Sequence, residues 1–296
     1  MNGQTVRISP ESNNHINVME MSRNYGDGGN PIATKSNLLM SICEQIMGAH
    51  NVDGKHRSMI DRCANYVYAE YLNSNFECPP PTLQDFHAEL LRQNNDVAEE
   101  IALAIELFTS GSLNTFAHQS NVDVDNRLVC YDILDLGKQL QSIGMLVVLD
   151  NIFNRITRNR ELGRRTWIII DEIYLLFQHE YSANFLHMLW KRVRKYGAYC
   201  TGITQNVDDL LQSHEARTML ANSEFVIMLN QASTDRLELA RLLNISELQL
   251  GHITNADVGS GLIKVGSSLV PFKNQYPRNS LYRMMSTKVG DTFDEN

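Results

Sequence analysis

The chain of 296 residues lacks any long apolar run. Its longest, MLVVL at 145–149 and WIII at 167–170, fall far short of the roughly 20 residues that a helix needs to cross a bilayer. Positive charge is in deficit: 26 Lys and Arg stand against 34 Asp and Glu, a net charge of −8. That excludes a chain that coats nucleic acid through bulk electrostatics and leaves room only for a local basic patch. Cysteine is sparse, with Cys43, Cys63, Cys78, Cys130 and Cys200 at long spacings and no CxxC; an odd number so arranged points to reduced thiols and a cytosolic compartment. The nine histidines are dispersed, and no HExxH or Cys/His pair has zinc-ligand spacing. The opening MNGQTVRISPESNN has neither an apolar h-region nor a small-residue cleavage site, so no secretion signal is expected. Hydrophobic residues at 43% and charged residues at 20%, with 17 Gly and 7 Pro, exclude disordered, collagenous and coiled-coil classes.

What is present is enough apolar material for a globular core and length for about two domains. Residues 1–34 open with the strand-like TVRIS and become polar and turn-rich, with Gly26, Gly28, Gly29 and Pro31 predicting no regular structure there. Residues 35–118 are helical in texture, with apolar residues at three- and four-residue spacing in SNLLMSICEQIMG, SMIDRCANYVYAEYL, TLQDFHAELLRQ and NDVAEEIALAIELFTSG. Pro79, Pro80 and Pro81 interrupt them once, and Thr82 with Asp85 three residues on predicts a helix N-terminus. From about 127 strands and helices alternate. RLVCYDIL, TWIIIDEI, AYCTGITQ and EFVIMLN are strands, GLIKVGSSLVPF is a strand pair, and helices fall over LGKQLQSIGMLVVLDNIFNRITRN, YSANFLHMLWKRVRKYG and ASTDRLELARLLN, with a polar stretch through 222. This order predicts an α/β fold: a mostly parallel sheet with helices on both faces, formed by 1–34 and 119–296, with 35–118 as an all-helical insertion.

The segment Trp167-Ile168-Ile169-Ile170-Asp171-Glu172 carries the most chemistry. A doubly buried strand delivers two adjacent carboxylates at its C-terminal edge, where open α/β sheets bind ligands. In a nucleotide hydrolase the first such carboxylate holds magnesium through water and the second polarises the attacking water. The alternative is an acidic strand end that meets solvent or caps the next helix. One strand later, Gln205 occupies another C-terminal edge, fit either to sense a γ-phosphate or simply to end a strand. Between them, Lys191, Arg192, Arg194 and Lys195 crowd a helix end before Gly197. Cations favour a helix C-terminus, so a solvated face accounts for them; an arginine finger offered to a neighbouring subunit's nucleotide is the functional alternative. His179 and His187 read as packing residues.

The phosphate cradle is missing. No GxxxxGK(S/T) occurs, and the nearest approach, Gly29-Asn-Pro-Ile-Ala-Thr34-Lys35-Ser36, has Thr34 in place of the second glycine and Pro31 in place of an amide donor. It follows a turn rather than a buried strand. Lys35 and Ser36 are therefore expected to open the first helix of the insertion.

In ISPESNNHINVMEM, TWIIIDEIYLLF, WKRVRKYGAYCTGITQNVDDLL and ANSEFVIMLNQASTDRLELARLL, and in their order, the chain resembles the C-terminal ATPase domain of the conjugative type IV secretion ATPases, the VirB-four or TraE-like family, over nearly its whole length. The resemblance implies a RecA-like P-loop NTPase core with an inserted helical bundle, using ATP and Mg²⁺. It implies Asp171 and Glu172 as the Walker B pair, with Asp171 on the magnesium, Gln205 as the sensor, and Arg194 with Lys195 in a basic motif at a subunit boundary. It further implies secretion-apparatus partners, a homo-oligomer such as a hexamer, and a cytoplasmic place at the inner face of the membrane, held there by those partners. In such proteins the P-loop strand and helix come just before the strand that opens this chain, so the expectation is a piece lacking its Walker A segment and nearly inactive alone. An FtsK-like or coupling-protein DNA translocase shares the core, with DNA as its partner. A P-loop-less, non-hydrolysing module that docks on secretion partners is the reading from another class.

Overall fold

The computed structural model describes residues 3–25, 29–122, 126–177, 180–205, 207–254, 256–274, 276–277 and 279–285; Gly26, Gly28 and His179 lie outside them. The elements run β1 (Gln4–Arg7), α1 (Pro31–Met47), α2 (Gly54–Asn73), α3 (Leu83–Arg92), α4 (Asp96–Thr109), β2 (Val129–Asp132), α5 (Gly137–Glu161), β3 (Thr166–Ile170), α6 (Glu180–Arg192) and β4 (Ala198–Gly202). There follow α7 (Val207–Gln212), α8 (His214–Ala221), β5 (Phe225–Met228), α9 (Ser233–Leu243), α10 (Glu247–Leu250), β6 (Ser260–Val265), β7 (Ser268–Lys273) and α11 (Ser280–Met285). The chain divides into two compact units, residues 1–170 with 178–201, and residues 171–177 with 202–296.

In the first unit, helix starts follow capping chemistry. Pro31, expected in an irregular turn, is instead the first residue of α1: its fixed φ and missing N–H suit that position, and the Asn30 side chain accepts from the amides of Ile32 and Ala33. Thr82 and Asp85 form the reciprocal capping box of α3. Asp53 caps α2, accepting from the amides of Lys55 and His56 and, at 2.7 Å, from His56 Nδ1. The His56 side chain first, and then these amides, hold the Asp53 carboxyl down from 3.8 to about 2. A depressed carboxyl stabilises the fold above its unfolded value and loses that contribution as pH falls through its folded one. Asp53→Ala should therefore lower the melting temperature at neutral pH and flatten the loss of helicity between about pH 4 and 2; acid titration followed by circular dichroism measures both.

Helices α1 to α4 bury Leu38, Ile42, Ile60, Tyr68, Phe86 and Ile101 among one another. Over them lies the irregular stretch after β1, whose Ile8, Ile16, Val18, Met19, Met21 and Tyr25 are also buried. Buried irregular backbone must find partners, and side chains supply them: Tyr68 donates to the Met19 carbonyl at 2.6 Å and Tyr71 to the Met21 carbonyl at 3.0 Å. Asn17 Oδ1 accepts from the Met19 amide, while its Nδ2 donates to the Pro81 carbonyl. Lys35 is fully buried on α1, donating to Asp150 of α5 at 2.5 Å and to the Val18 carbonyl at 2.9 Å.

Strands β1 and β2 pair in parallel, Gln4 opposite Val129 through Arg7 opposite Asp132, with the helical block in the connection. Strand β3 pairs with β4. The Thr166 amide at the start of β3 donates to the Gly197 carbonyl just before β4, so both strands set out from the same end. Helix α6 connects them through a 3-10 turn, Val193–Tyr196, that ends on left-handed Gly197.

The second unit is built on the antiparallel sheet β5-β6-β7, Phe225 pairing with Val265 and Leu262 with Pro271. Its core gathers Val207, Leu211, Met228, Leu239, Leu243, Ile253 and Leu262. The polar stretch after β4 is helical here, as α7 and α8, with Ser213 capping α8 through the Ala216 amide at 3.2 Å.

Among the described residues all five cysteines are free thiols. Burial pushes the Cys43 and Cys200 thiols up to about 12 and Cys63 to about 11, whereas Cys130 is exposed. Only the thiolate attacks an alkylating reagent. Cys130 should thus react within seconds to minutes at neutral pH, and Cys43 and Cys63 only at the rate at which the helical block opens; mass spectrometry of timed maleimide labelling reads this.

Candidate functional site

Strand β3, expected to be buried on both faces, is covered on one: side chains alternate across a strand, so Ile168 is buried while Trp167 and Ile169 are exposed at 69% and 67%. Past Ile170 the backbone turns. Asp171 Oδ1 accepts from the Glu172 amide at 3.1 Å, and Glu172 takes φ +48°, the left-handed region that a long L-residue enters only at a cost. A 3-10 turn, Ile173–Phe177, follows. Asp171 is exposed and Glu172 half-buried, and Glu172 Oε2 lies out of solvent with no hydrogen-bond partner among the described residues. An orphaned, buried carboxylate oxygen on a strained residue asks for an explanation outside folding.

The turn is held from the neighbouring strand end. The Ile173 amide donates to the Ile203 carbonyl at 3.0 Å, which ties the carboxylates to the segment running through Thr204 into Gln205. Gly202 allows this approach: a Cβ there would meet Ile173 Cδ1 at 2.7 Å. Asp171, Glu172 and Gln205 all belong to the second unit, and the side chain of Gln205 is exposed. Arg194 and Lys195 belong to the first unit, exposed on the 3-10 turn that precedes β4. His187 sits on α6 with Nδ1 buried and without a hydrogen-bond partner among the described residues.

Lys35, the lysine of the imperfect glycine-loop match, cannot reach a phosphate. It is buried inside α1 on Asp150, and Ser36 donates to Asp61 at 2.8 Å. These residues fall inside the helix rather than at its opening, since α1 starts at Pro31. Among the described residues no three His, Cys, Asp or Glu converge as a metal cage. Mg²⁺ does not ask for one: it keeps most of its waters and leans on one or two carboxylates and the substrate's phosphates, so a single exposed Asp171 fits that use. What the sequence pattern could not show is the posture of Glu172; no residue type marks a left-handed glutamate.

No described helix is long and apolar enough to cross a membrane. No curated protein matches the chain. Among solved structures, VirB4 of Thermoanaerobacter pseudethanolicus superposes with a TM-score of 0.78 at 21% identity, covering 94% of this chain and 78% of that one. The bacterial conjugative coupling protein TrwBdeltaN70, in its trigonal form in complex with sulphate, superposes with a TM-score of 0.51 at 12% identity, covering 92% and 72%. Both likenesses are of fold, and they identify the α/β core as RecA-like. The family model of the TraG P-loop domain matches residues 40–255. The chain belongs to the TraG P-loop domain family, within the P-loop NTPases of conjugative type IV secretion, a family that uses nucleotide and Mg²⁺ generally.

Proposed function

We propose that the chain forms the ATP-hydrolysing motor of a conjugative type IV secretion system, coupling hydrolysis to transfer of DNA or protein or to assembly of the apparatus. The observation that carries this is Glu172, held at positive φ beside Asp171 with one carboxylate oxygen buried and unmatched. Glu172 would take a proton from the attacking water, Asp171 would hold the hydrated Mg²⁺, and Gln205 would hydrogen-bond the γ-phosphate. Bound Mg²⁺ supplies charge neutralisation across the β- and γ-phosphates. Arg194, with Lys195 beside it, would meet the nucleotide of an adjacent subunit in a homo-oligomer, a hexamer by analogy with RecA-like motors.

In this reading residues 1–34 and 119–296 are the RecA-like core and 35–118 the helical insertion. The protein works at the cytoplasmic face of the membrane, held by other subunits of the apparatus. The phosphate cradle comes from polypeptide outside these residues, because no glycine-lysine loop occurs within them and Lys35 is committed to Asp150. The outer face of β3 and β4 supports this. Trp167 and Ile169 are bare there and Tyr199 is 45% exposed, whereas strands of a parallel α/β sheet are covered on both faces.

ATP turnover tests the proposal when the chain is joined to a segment bearing GxxxxGK(S/T), with and without Glu172→Gln. Turnover that depends on Glu172 supports it, and turnover that survives the substitution overturns the assignment.

A further inference from the structure

His56 stands on the first turn of α2 with only 10% of its side chain exposed. Its Nδ1 meets Asp53 Oδ1 at 2.7 Å. An ionised carboxylate can only accept, so Nδ1 carries the hydrogen, and in the neutral ring the lone pair sits on Nε2. That atom is buried and has no hydrogen-bond partner among the described residues. It faces Oε2 of Glu100, on α4, across 3.5 Å. Two electron-pair donors from two helices therefore look into one gap.

Hydrogen bonding does not account for that gap. A charge-assisted N–H···O bond closes to about 2.7–2.9 Å, and Glu100, with 59% of its side chain exposed, is free to come that near. The separation instead matches the first shell of a tetrahedral ion: with metal–nitrogen and metal–oxygen bonds of about 2.1 Å, neighbouring donors stand about 3.4 Å apart. Octahedral Mg²⁺, with bonds of similar length, sets them about 3.0 Å apart. The Asp53 contact is the one that a metal-bound imidazole makes through its other nitrogen, where a carboxylate fixes the tautomer and turns the ring.

Charge at the site runs the same way. The N-terminal ends of α2 and α4 each bring about half a positive charge, which opposes a cation. Asp53, Asp96, Glu99 and Glu100 bring four negative charges and outweigh them. Asp96 and Glu99 serve the dipole of α4 from its first turn, but Glu100 lies beyond that turn, on the face it shares with Asp96. On α2, Arg57 is taken by Glu44 at 2.8 Å.

We infer that His56 and Glu100 bind a Zn²⁺-class ion, with water completing a four-coordinate shell, and that the ion bolts the start of α2 to α4. Imidazole selects zinc and its neighbours over magnesium and calcium. No third protein donor converges among the described residues, so the ion is exchangeable, unlike the closed four-ligand sites that hold structural zinc. The site lies in the first unit, whereas Asp171 and Glu172 lie in the second, and it stands or falls apart from the ATPase reading.

Isothermal titration calorimetry of ZnCl₂ into the whole chain, stripped beforehand with EDTA, tests this. One ion per chain is expected, with no matching heat from MgCl₂. Asp53→Asn keeps a good helix cap and alters the outer contact, and should weaken binding about 10- to 100-fold; Glu100→Gln, which loses a direct donor, should weaken it by about 100-fold or more. Co²⁺ should take the place of zinc with the strong visible absorption of four-coordination, and His56→Gln should abolish that absorption. If His56→Gln loses helicity by circular dichroism, Glu100→Gln and Glu100→His decide, the first losing the absorption and the second keeping it. Cys130→Ser, which removes the exposed thiol, should bind as the parent does. No saturable binding at millimolar zinc, binding that Glu100→Gln leaves intact, or loss of binding in Cys130→Ser overturns the inference. So does the pale spectrum of six-coordinate Co²⁺, or Mg²⁺ binding as tight as that of zinc.

Discussion

Lys35→Met is expected to destabilise the fold by about 3–5 kcal/mol, the range for removing one partner of a buried ion pair. The lysine is fully buried; its ammonium donates to Asp150 Oδ2 at 2.5 Å and to the Val18 carbonyl at 2.9 Å, and it lies 4.6 Å from the centre of the Tyr25 ring. Tyr25 donates its hydroxyl to the other oxygen of Asp150. Without the cation a carboxylate is left in the core with one hydroxyl to share its charge, and the Val18 carbonyl loses its donor. Replacing both ions, Lys35→Met with Asp150→Leu, removes the uncompensated charge and should recover most of the loss. What remains is the loss of the Tyr25–Asp150 and Lys35–Val18 hydrogen bonds, about 1–3 kcal/mol. Urea unfolding of the two single variants and the double variant measures the cycle. A double variant as unstable as the sum of the singles would show that the two groups do not act as a pair.

Glu172→Gly should raise the melting temperature and at the same time remove ATP turnover in the form that carries a phosphate loop. Glycine accepts φ +48° freely, where an L-residue gives up about 1–2 kcal/mol, and it withdraws the carboxylate oxygen that lies buried without a partner. A positioned general base contributes about 10²- to 10⁴-fold in rate. Glu172→Gln should lose a similar factor while leaving the melting temperature near that of the parent, which separates loss of chemistry from loss of fold. A gain in stability coupled to a loss of activity is the mark of a residue kept for function. Should Glu172→Gly melt earlier, the glutamate belongs to the scaffold and the hydrolytic reading loses its central residue. Calorimetry and single-turnover kinetics on the same preparations provide both numbers.

The α/β class could be read from strands such as TWIII and FVIM and from long amphipathic helices, because burial on a sheet or helix face imposes a period on the sequence. The Thr82 box was legible for the same kind of reason: capping is local chemistry among four residues. Helices α7, α8 and α10 were not, since six, eight and four residues show too little of a helical period; the Ser213 and Ser246 caps were the available signals. Pro31 misled because proline both breaks helices and begins them, and only the Asn30 side chain before it decides which. Lys191, Arg192, Arg194 and Lys195 stood out as a charge run before Gly197, because a helix end and its glycine are local signals. Asp171 and Glu172 stood out as types at a strand end, while the unmatched oxygen of Glu172 required coordinates.

Strand β7 carries a proline in its interior. Pro271 faces Leu262 across the ladder, one position past the Ile263–Val270 pair in the alternation that the two-residue turn sets from Val265–Ser268, so the donor it lacks is one that would have pointed outward from the sheet. That flank is therefore a poorer template for a newcomer than β5, which forms the opposite margin of the sheet with Phe225 and Ile227 exposed. A strand added to this sheet is favoured alongside β5.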